Sequence, residues 1–368
     1  MLSPQEYTPD FLHYARLCFE KLGDRVKHWI TYNEPGVYTL AGYADGGHVP
    51  GRSSMPHRPG YPGDSSTEPF IVAHTQLVSH GHVVKMYRDE FQPKQNGTIG
   101  ITLHGNYSHP WDEYDAKDIE ATERARLFEI AWFADPVYGK GAVEYPSVMR
   151  EQLGDRLPTF TEEEEKLVRG SSDFYGMNSY TSFFVKHLET PPEIWDHQGN
   201  IEKLTTNKQG VARGPESEST EWLATCPWGF RNLLKWIWAR YEMPIYITEN
   251  GTTSFGEADW KPQGRDDAID DQHRQEFLEG YLGAIATVVK EDGVDVRSYF
   301  GWTVSFLSVF PSSCLSHSKV SRSRGNILTN TPAHGQLGMG KRLLRPLRRR
   351  LDRLQLARKD AVSKEISI

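Results

Sequence analysis

The sequence has few cysteines and no long hydrophobic run, and both features exclude classes of protein. Its three cysteines, Cys18, Cys226 and Cys314, lie far apart and lack the close pairing typical of zinc sites. They indicate neither a disulfide scaffold nor a metal centre. No run of about 18 apolar residues is present to span a bilayer. The first residues, MLSPQEYTPDF, lack the apolar core of a secretory signal, so we expect a cytoplasmic protein.

Aromatic residues are plentiful, and short apolar runs recur along the chain. The 10 Trp, 17 Tyr and 16 Phe suit either a large core or a pocket that stacks flat sugar faces. The apolar runs lie at 28–35, 97–105, 173–185, 243–251 and 296–303. Amphipathic segments with helical spacing lie between them, at 68–91, 122–134 and 271–292. This alternation predicts parallel βα units.

The number of predicted units leaves the architecture open. There are five apolar runs, whereas a closed β/α barrel needs eight strands. The residues therefore fit either an open sheet or a barrel in which three units are absent. The connections at 41–66 and 190–220 are rich in Gly, Pro and polar residues, and we interpret them as rim loops.

Polar residues end the predicted strands. The carboxyl ends of the strands form the active site of a β/α barrel, so these side chains should converge on one pocket. They include Asn33, Glu34, Asn178, Tyr180, Glu249 and Asn250. His74 and His104 lack metal-ligand spacing, and we interpret both as core or loop histidines.

Glu34 in TYNEPG (31–36) and Glu249 in ITENG (247–251) are candidate catalytic carboxylates. Cleavage of an acetal needs a proton for the leaving oxygen and an electron-rich group for the oxocarbenium-like carbon, and two carboxyl groups supply both. A retaining mechanism requires a separation of roughly 5 Å, so the two should come from different strands. A lone glutamate at a strand end is usually solvated or paired, and the hypothesis therefore depends on both.

The segments WITYNEPG (29–36) and YITENG (246–251) resemble the two catalytic signatures of family one of the glycoside hydrolases, the β-glucosidases and their relatives. The resemblance covers nearly the whole chain up to Thr303. Other matching segments are GYADGGHVPGR (42–52), FADPVYGKG (133–141), YPSVM (145–149), LPTFTEEE (157–164), DFYGMNSYT (173–181), PWGF (227–230) and VRSYFGWT (296–303). The resemblance implies an α/β fold, a (β/α)8 TIM barrel that is incomplete because its first three strands are absent. Residues 1–303 would form this partial barrel.

The resemblance also implies roles for the two carboxylates. Glu34 matches the general acid/base of the family, and Glu249 matches its nucleophile. We expect the ionised Glu249 to hold the proton on Glu34 by like-charge repulsion. Once Glu249 is glycosylated that repulsion disappears, and Glu34 can act as a base.

Other strand-end residues match the part of the family that binds sugar. Asn33 resembles the residue that hydrogen-bonds the sugar 2-hydroxyl, and Tyr180 resembles the phenol that orients the nucleophile. Asn178 lies beside Tyr180 on the sugar-facing edge. Trp302 resembles the indole that forms a platform under the sugar ring.

The implied function is a retaining β-glucosidase that hydrolyses terminal β-D-glucosyl residues of small β-glucosides or cello-oligosaccharides, with no cofactor and no metal. An open barrel edge would expose the core, so we expect poor independent folding and impaired activity. Two alternatives stay open. One is a non-catalytic sugar-binding remnant, and the other is a related β-glycosidase such as a β-galactosidase or a 6-phospho-β-glucosidase. The sequence does not indicate the oligomeric state.

The chain departs from the family after Thr303, where Val304 and Ser305 replace the expected continuation. Val-Ser can be encoded by GTAAGT, a common intron start, and a one-base frame shift farther on allows the family's expected WEW segment. We interpret 304–368 as an aberrant, disordered tail made by intron read-through and frameshift. Its basic segment at 341–359 would otherwise suggest nucleic-acid or membrane binding, and we expect neither partner.

Overall fold

The structure is a computed structural model, and it describes residues 1–56, 61–217, 220–253 and 271–302. The described helices are α1 (Pro4–Leu22), α2 (Pro35–Tyr43), α3 (Glu68–Met86), α4 (Gln92–Gln95), α5 (Ala116–Arg126), α6 (Trp132–Tyr138), α7 (Ser147–Leu153), α8 (Glu162–Val168), α9 (Pro227–Tyr241) and α10 (Gln272–Glu291). Single π-helical turns follow α3 at Tyr87–Phe91 and α5 at Leu127–Ala131.

The described strands alternate with these helices. They are β1 (His28–Asn33), β2 (Arg52–Ser53), β3 (Tyr61–Pro62), β4 (Thr98–His104), β5 (Tyr107–Pro110), β6 (Tyr175–Asn178), β7 (Ser182–His187), β8 (Ile201–Leu204), β9 (Glu216–Ser217), β10 (Thr220–Ala224), β11 (Ile245–Asn250) and β12 (Val296–Gly301).

Five of these strands form one parallel sheet in the order β1-β4-β6-β11-β12. Each strand is added beside the preceding sheet strand in chain order, which is the connectivity of a β/α barrel. The predicted α/β fold and its number of parallel units are confirmed. All five carboxyl ends lie at the same edge of the sheet, so the residues that follow them share one surface.

The main core lies between the inner strands and the helices that cover them. Strand β6 is buried along its whole length, and Ile101 of β4 and Ile247 of β11 are fully buried. The amphipathic α9 packs against α10, and their apolar faces join the same cluster through Phe230 and Tyr281. This packing holds the carboxyl ends of β4, β6 and β11 in fixed register.

A second, smaller core lies beneath β1. Phe19 of α1 contacts Trp29 of β1 and Tyr87 at the end of α3, with ring centroids 5.0 and 4.8 Å apart. Val83 and Ile99 complete the cluster. Helices α1 and α3 therefore support β1 from one side.

The two outer strands are more exposed than the inner ones. Among the described residues, β1 pairs only with β4, and β12 pairs only with β11. Ile30 of β1 is 45% exposed and Phe300 of β12 is 41% exposed. The sheet therefore has two open edges within the described part of the chain.

Two segments differ from the sequence-based expectation. The run at 173–185 is not one strand, because β6 ends at Asn178 and β7 begins at Ser182 in a separate sheet ordered β5-β7-β8. The predicted rim loop at 190–220 also contains β8, β9 and the start of β10. Long apolar runs and polar connections do not by themselves show where the chain changes sheets.

No described helix combines the length and apolar character needed to cross a membrane. The prediction for the tail, 304–368, lies outside the described residues.

Candidate active site

Glu34 is placed by an unusual backbone conformation directly after β1. Its φ of 50° and ψ of 55° lie in the left-handed region, which non-glycine residues seldom adopt. Its N–H donates to the Thr102 carbonyl of β4 at 3.0 Å, and Pro35 begins α2 with a φ suited to a helix. The strand-to-helix turn therefore fixes where the Glu34 side chain leaves the sheet.

The Glu34 carboxylate is held by groups from two neighbouring strands. Its Oε1 accepts a hydrogen bond from Asn178 Nδ2 at 2.9 Å and lies 3.5 Å from Nδ1 of His104. Asn178 is fully buried, and its Nδ2 also donates to Oδ1 of Asn33 at 3.0 Å. The Thr248 hydroxyl donates to Asn178 Oδ1 at 2.6 Å. One buried amide thus connects β1 with β11.

Glu249 lies at the end of β11, paired in register with Asn178 of β6. The hydroxyl of Tyr180 donates a short hydrogen bond to its Oε2. Burial, the bond to Glu249 and the charges of Glu249 and Glu34 all raise the pKa of Tyr180, so its hydroxyl stays protonated and acts as a donor. The charges of both carboxylates therefore act on the same phenol, which bonds Glu249 directly.

Trp302 directly follows β12 beside the Glu249 peptide. Its N–H donates to the Asn250 carbonyl at 2.9 Å, and its side chain is 61% exposed. A Cβ on Gly251 would lie 2.6 Å from the Trp302 carbonyl oxygen, so only glycine fits the ENG segment here. The Tyr299 hydroxyl donates to Asn250 Oδ1 at 2.8 Å and fixes this corner. An exposed indole therefore lies at the end of β12, beside Asn250 and Gly251.

The surroundings of Glu34 lower the pKa of its carboxyl, whereas repulsion by Glu249 was expected to raise it. Burial alone would raise the pKa of its carboxyl, but hydrogen bonding and charge from His104, together with the Asn178 amide, lower the pKa below its usual value. The effects of Asn178 and His104 on the carboxylate therefore outweigh the effect of burial. The sequence argument considered repulsion by Glu249 and not these donors.

Sequence reasoning also missed a polar cluster behind Glu34. His104, interpreted as a core or loop residue, ends β4 and lies beside the Glu34 carboxylate. Its Nε2 lies 3.4 Å from Asn106 Nδ2 and 3.6 Å from Oε1 of Glu129, and Glu129 accepts from Lys203 Nζ at 2.7 Å. The signal that could have found His104 is its position at a strand end, which it shares with Glu34.

A cavity of about 270 Å³ opens beside this cluster. It lies between α2, the end of β4 and the π-helical turn that carries Glu129, and its lining is largely apolar. Lining residues include Gly36, Val37, Leu40, His104, Phe133 and Lys203. A small apolar group could occupy this space within reach of the site.

The arrangement has the parts that glycosidic chemistry requires. Two carboxylates follow different strands of one sheet, one bonded to a buried amide and the other to a phenol, and an exposed indole ends the strand that pairs with β11. In the described part of the chain, no group of three or more His, Cys, Asp or Glu side chains is placed to bind a metal ion. Acid, base and nucleophile are the roles that these side chains can perform.

Comparisons with known proteins identify the family of the chain. Residues 3–313 match glycosyl hydrolase family 1. Beta-glucosidase 1B of Phanerodontia chrysosporium is 44% identical over 303 residues, covering 82% of this chain and 54% of the relative.

Solved structures show the same likeness. A β-glucosidase from the fungus Humicola insolens in complex with glucose has 45% identity and a TM-score of 0.77, covering 82% of this chain and 61% of that one. A Thermotoga maritima family 1 glycoside hydrolase, complexed with a cyclophellitol analogue transition state mimic, has 27% identity and a TM-score of 0.66, covering 82% and 60%. The chain thus spans a little over half the length of these relatives. By sequence match and by fold, it belongs to glycosyl hydrolase family 1.

Proposed function

We propose that the described residues form the catalytic end of a retaining β-glucosidase, with Glu249 as nucleophile and Glu34 as general acid/base. One observation carries the proposal: Glu34 and Glu249 lie at the ends of different strands of one sheet, where Asn178 bonds Glu34 and the Thr248 hydroxyl, and Tyr180 bonds Glu249. A pair of carboxylates held on one polar surface is the requirement for double displacement.

In the first step, Glu249 attacks the anomeric carbon and Glu34 gives its proton to the departing glycosidic oxygen. The glycosidic bond breaks as an ester bond to Glu249 forms. The Tyr180 hydroxyl donates to Oε2 of Glu249 and orients the carboxylate for attack. In the second step, Glu34 takes a proton from water, the hydroxide oxygen attacks the anomeric carbon, and the ester bond to Glu249 breaks.

The lowered pKa of Glu34 favours the second step, because that step needs the carboxylate form. The first step needs the protonated form, and its rate depends on how strongly the leaving group demands a proton. We therefore expect the largest relative rates for aryl β-glucosides with acidic phenols as leaving groups. Alkyl glucosides should react more slowly.

The sugar-binding roles follow from position. Asn33, at the exposed end of β1, is placed to bind a sugar hydroxyl next to Glu34, and the Trp302 indole offers an open apolar face. Sugar rings stack well on such faces. The bound glucose of the Humicola insolens relative and the β-glucosidase names of other relatives support glucose as the sugar. Small β-glucosides are accordingly the proposed substrates.

A 2-deoxy-2-fluoroglucoside with a good leaving group tests the proposal. We expect a covalent adduct, and peptide mass spectrometry should place it on Glu249. The variant Glu249→Gln should stay unlabelled, whereas Glu202→Gln, which changes an exposed carboxyl on β8, should be labelled like the parent. Labelling elsewhere, or equal labelling of Glu249→Gln, would contradict the assignment. Glucoside binding without any adduct would support the alternative of a sugar-binding remnant.

We further propose that the chain alone turns over slowly. Within the described residues, β1 and β12 are the outer strands of the sheet, Ile30 and Phe300 are partly exposed there, and Glu34 follows one of these strands. A loosely held Glu34 would meet the substrate in the productive geometry only part of the time. Rapid hydrolysis of an aryl β-glucoside by the purified chain would overturn this part of the proposal.

A further inference from the structure

The orientation of the Asn106 side chain is determined by the backbone around it. Its Oδ1 accepts hydrogen bonds from the N–H groups of Tyr180 and Thr181, at 3.1 and 3.0 Å. An amide flipped by 180° would set its own N–H donors against these two N–H groups. The carbonyl oxygen therefore faces the Tyr180 peptide, and Nδ2 faces the other way.

This orientation selects a tautomer of His104. Nδ2 of Asn106 is a donor and lies 3.4 Å from Nε2 of His104, so Nε2 is best suited to accept. In a neutral imidazole only one ring nitrogen carries a proton. An accepting Nε2 places that proton on Nδ1, which lies 3.5 Å from Oε1 of Glu34.

The carboxylate of Glu129 does not need the His104 proton. Its Oε1 accepts from the N–H of Asn106 at 3.0 Å, and its Oε2 accepts from Lys203 Nζ at 2.7 Å. These donors come from the loop after β4 and from β8. Although Nε2 of His104 lies 3.6 Å from Glu129, the charge of Glu129 is already balanced by Lys203.

We propose that His104 is a positioning residue for Glu34, because its Nδ1 is buried without a hydrogen-bond partner among the described residues, lies 3.5 Å from Oε1 of that carboxylate and is the ring nitrogen placed to donate to it. Oε1 accepts a hydrogen bond from Asn178 and faces Nδ1 of His104 as a second possible donor. Oε2 of Glu34 accepts no hydrogen bond from the residues that the structure describes. Oε2 is thus the oxygen that exchanges a proton with the glycosidic oxygen and with water.

This inference rests on the proposed function for its meaning, since it assigns the reacting oxygen of the proposed acid/base. The structural statement about the imidazole can be tested separately. Other ionisable groups facing the pair are Glu129, Lys203, Tyr180 and Glu249, and Asp45 and His197 line the adjoining cavity.

Nitrogen-15 NMR of the imidazole rings measures the tautomer in the unaltered full chain. The His104 signals can be assigned by their loss in His104→Asn. We expect Nδ1 to carry the proton and Nε2 to show the shift of an unprotonated ring nitrogen. The opposite tautomer would overturn the proposal.

A carbon-13 titration of the Glu34 carboxyl tests whether His104 affects the protonation of that carboxyl. The variant Glu34→Gln is used to assign the signal. The variant His104→Phe keeps a ring but removes the donor, and we expect Glu34 to titrate at a higher pH than in the parent. The variant His104→Asn keeps a donor near the position of Nδ1 and should restore most of the difference. A surface control, His13→Gln on α1, should leave the titration unchanged.

Equal titration of Glu34 in the parent and in His104→Phe would overturn the proposal, as would equal shifts in His104→Phe and His104→Asn. Neither measurement needs turnover. If the chain is not labelled by the fluoroglucoside but shows the expected tautomer and shift, the proposed function fails and the inference about His104 stands.

Discussion

The inner strands β4, β6 and β11 and the outer strands β1 and β12 bury their side chains to different extents, although all five carry short apolar runs. Inner strands are paired on both sides and covered by helices, so residues such as Ile101 are fully buried. Outer strands are paired on one side in the described part of the chain, and Ile30 lies near water. Similar apolar runs therefore contribute differently to the free energy of unfolding in inner and in outer strands.

One of the two proposed catalytic carboxylates belongs to an inner strand, and the other follows an outer strand. Glu249 ends an inner strand and is positioned by pairing on both sides together with the Tyr180 hydroxyl. Glu34 follows an outer strand and depends on contacts made across the sheet by His104 and Asn178. The contribution of a residue to the site therefore depends on the support that its strand receives.

The largest expected effect comes from removing either carboxylate. Glu249→Gln should lose both chemical steps, whereas Glu34→Gln should still form the glycosyl enzyme from an activated aryl glucoside but release it about 100-fold or more slowly. Burst kinetics would separate the steps. Equal loss of formation and release in Glu34→Gln would contradict its role as the acid/base, and Glu202→Gln serves as the control.

Truncation of a core residue tests the comparison of strands directly. Ile101→Ala on β4 should lower the free energy of unfolding by about 3 kcal/mol, because it leaves a cavity in close-packed surroundings. Ile30→Ala on β1 removes the same atoms from a half-exposed site and should cost less than about 1 kcal/mol. Denaturant unfolding of both variants measures the difference, and equal losses would break the comparison.

Acid should weaken the support beneath β1. His80 of α3 is fully buried and bonds the Thr31 hydroxyl of β1 at 2.7 Å, and burial lowers its pKa to about 3. The unfolded chain binds a proton near pH 6.5 while the folded chain does not, so stability falls as pH decreases through this range. Between pH 7 and 5 we expect a loss of about 2 kcal/mol.

The variant His80→Gln can bond Thr31 but does not titrate, so it should lose most of this pH dependence. His13→Gln, on the exposed face of α1, should keep it. Chemical unfolding at several pH values makes the measurement. A parent chain whose stability is constant from pH 7 to 5 would contradict the prediction.

The smallest expected effect is at Tyr180. Tyr180→Phe keeps the ring but removes the hydroxyl that orients Glu249, and we expect about a tenfold slower labelling by the fluoroglucoside. The Asn178 side chain bonds Glu34 and not Glu249. A substitution of Asn178 would therefore test, in the same assay, how labelling depends on the carboxylate that follows the outer strand β1. A labelling rate unaffected by Tyr180→Phe would show that strand pairing alone positions Glu249.

Local pattern was sufficient to predict much of the fold and part of the site. Apolar runs at 28–35 and 243–251 predicted β1 and β11. Short runs of β-branched and aromatic residues between helical segments usually form buried strands. The strand-end rule selected Glu34 and Glu249 for the same reason. The break between β6 and β7 was missed, since it depends on which sheet each half can pair with.

By itself, the sequence determined the alternation of strands and helices, the residues at the strand ends and the family to which they belong, because these depend on local order along the chain. Only the tertiary structure decided how Glu34 is held. His104, Asn106 and Glu129 lie far from Glu34 in sequence, and the protonation of Glu34 depends on distances of 3 to 4 Å that arise when the strands align. Side-chain electrostatics is a property of neighbours in space.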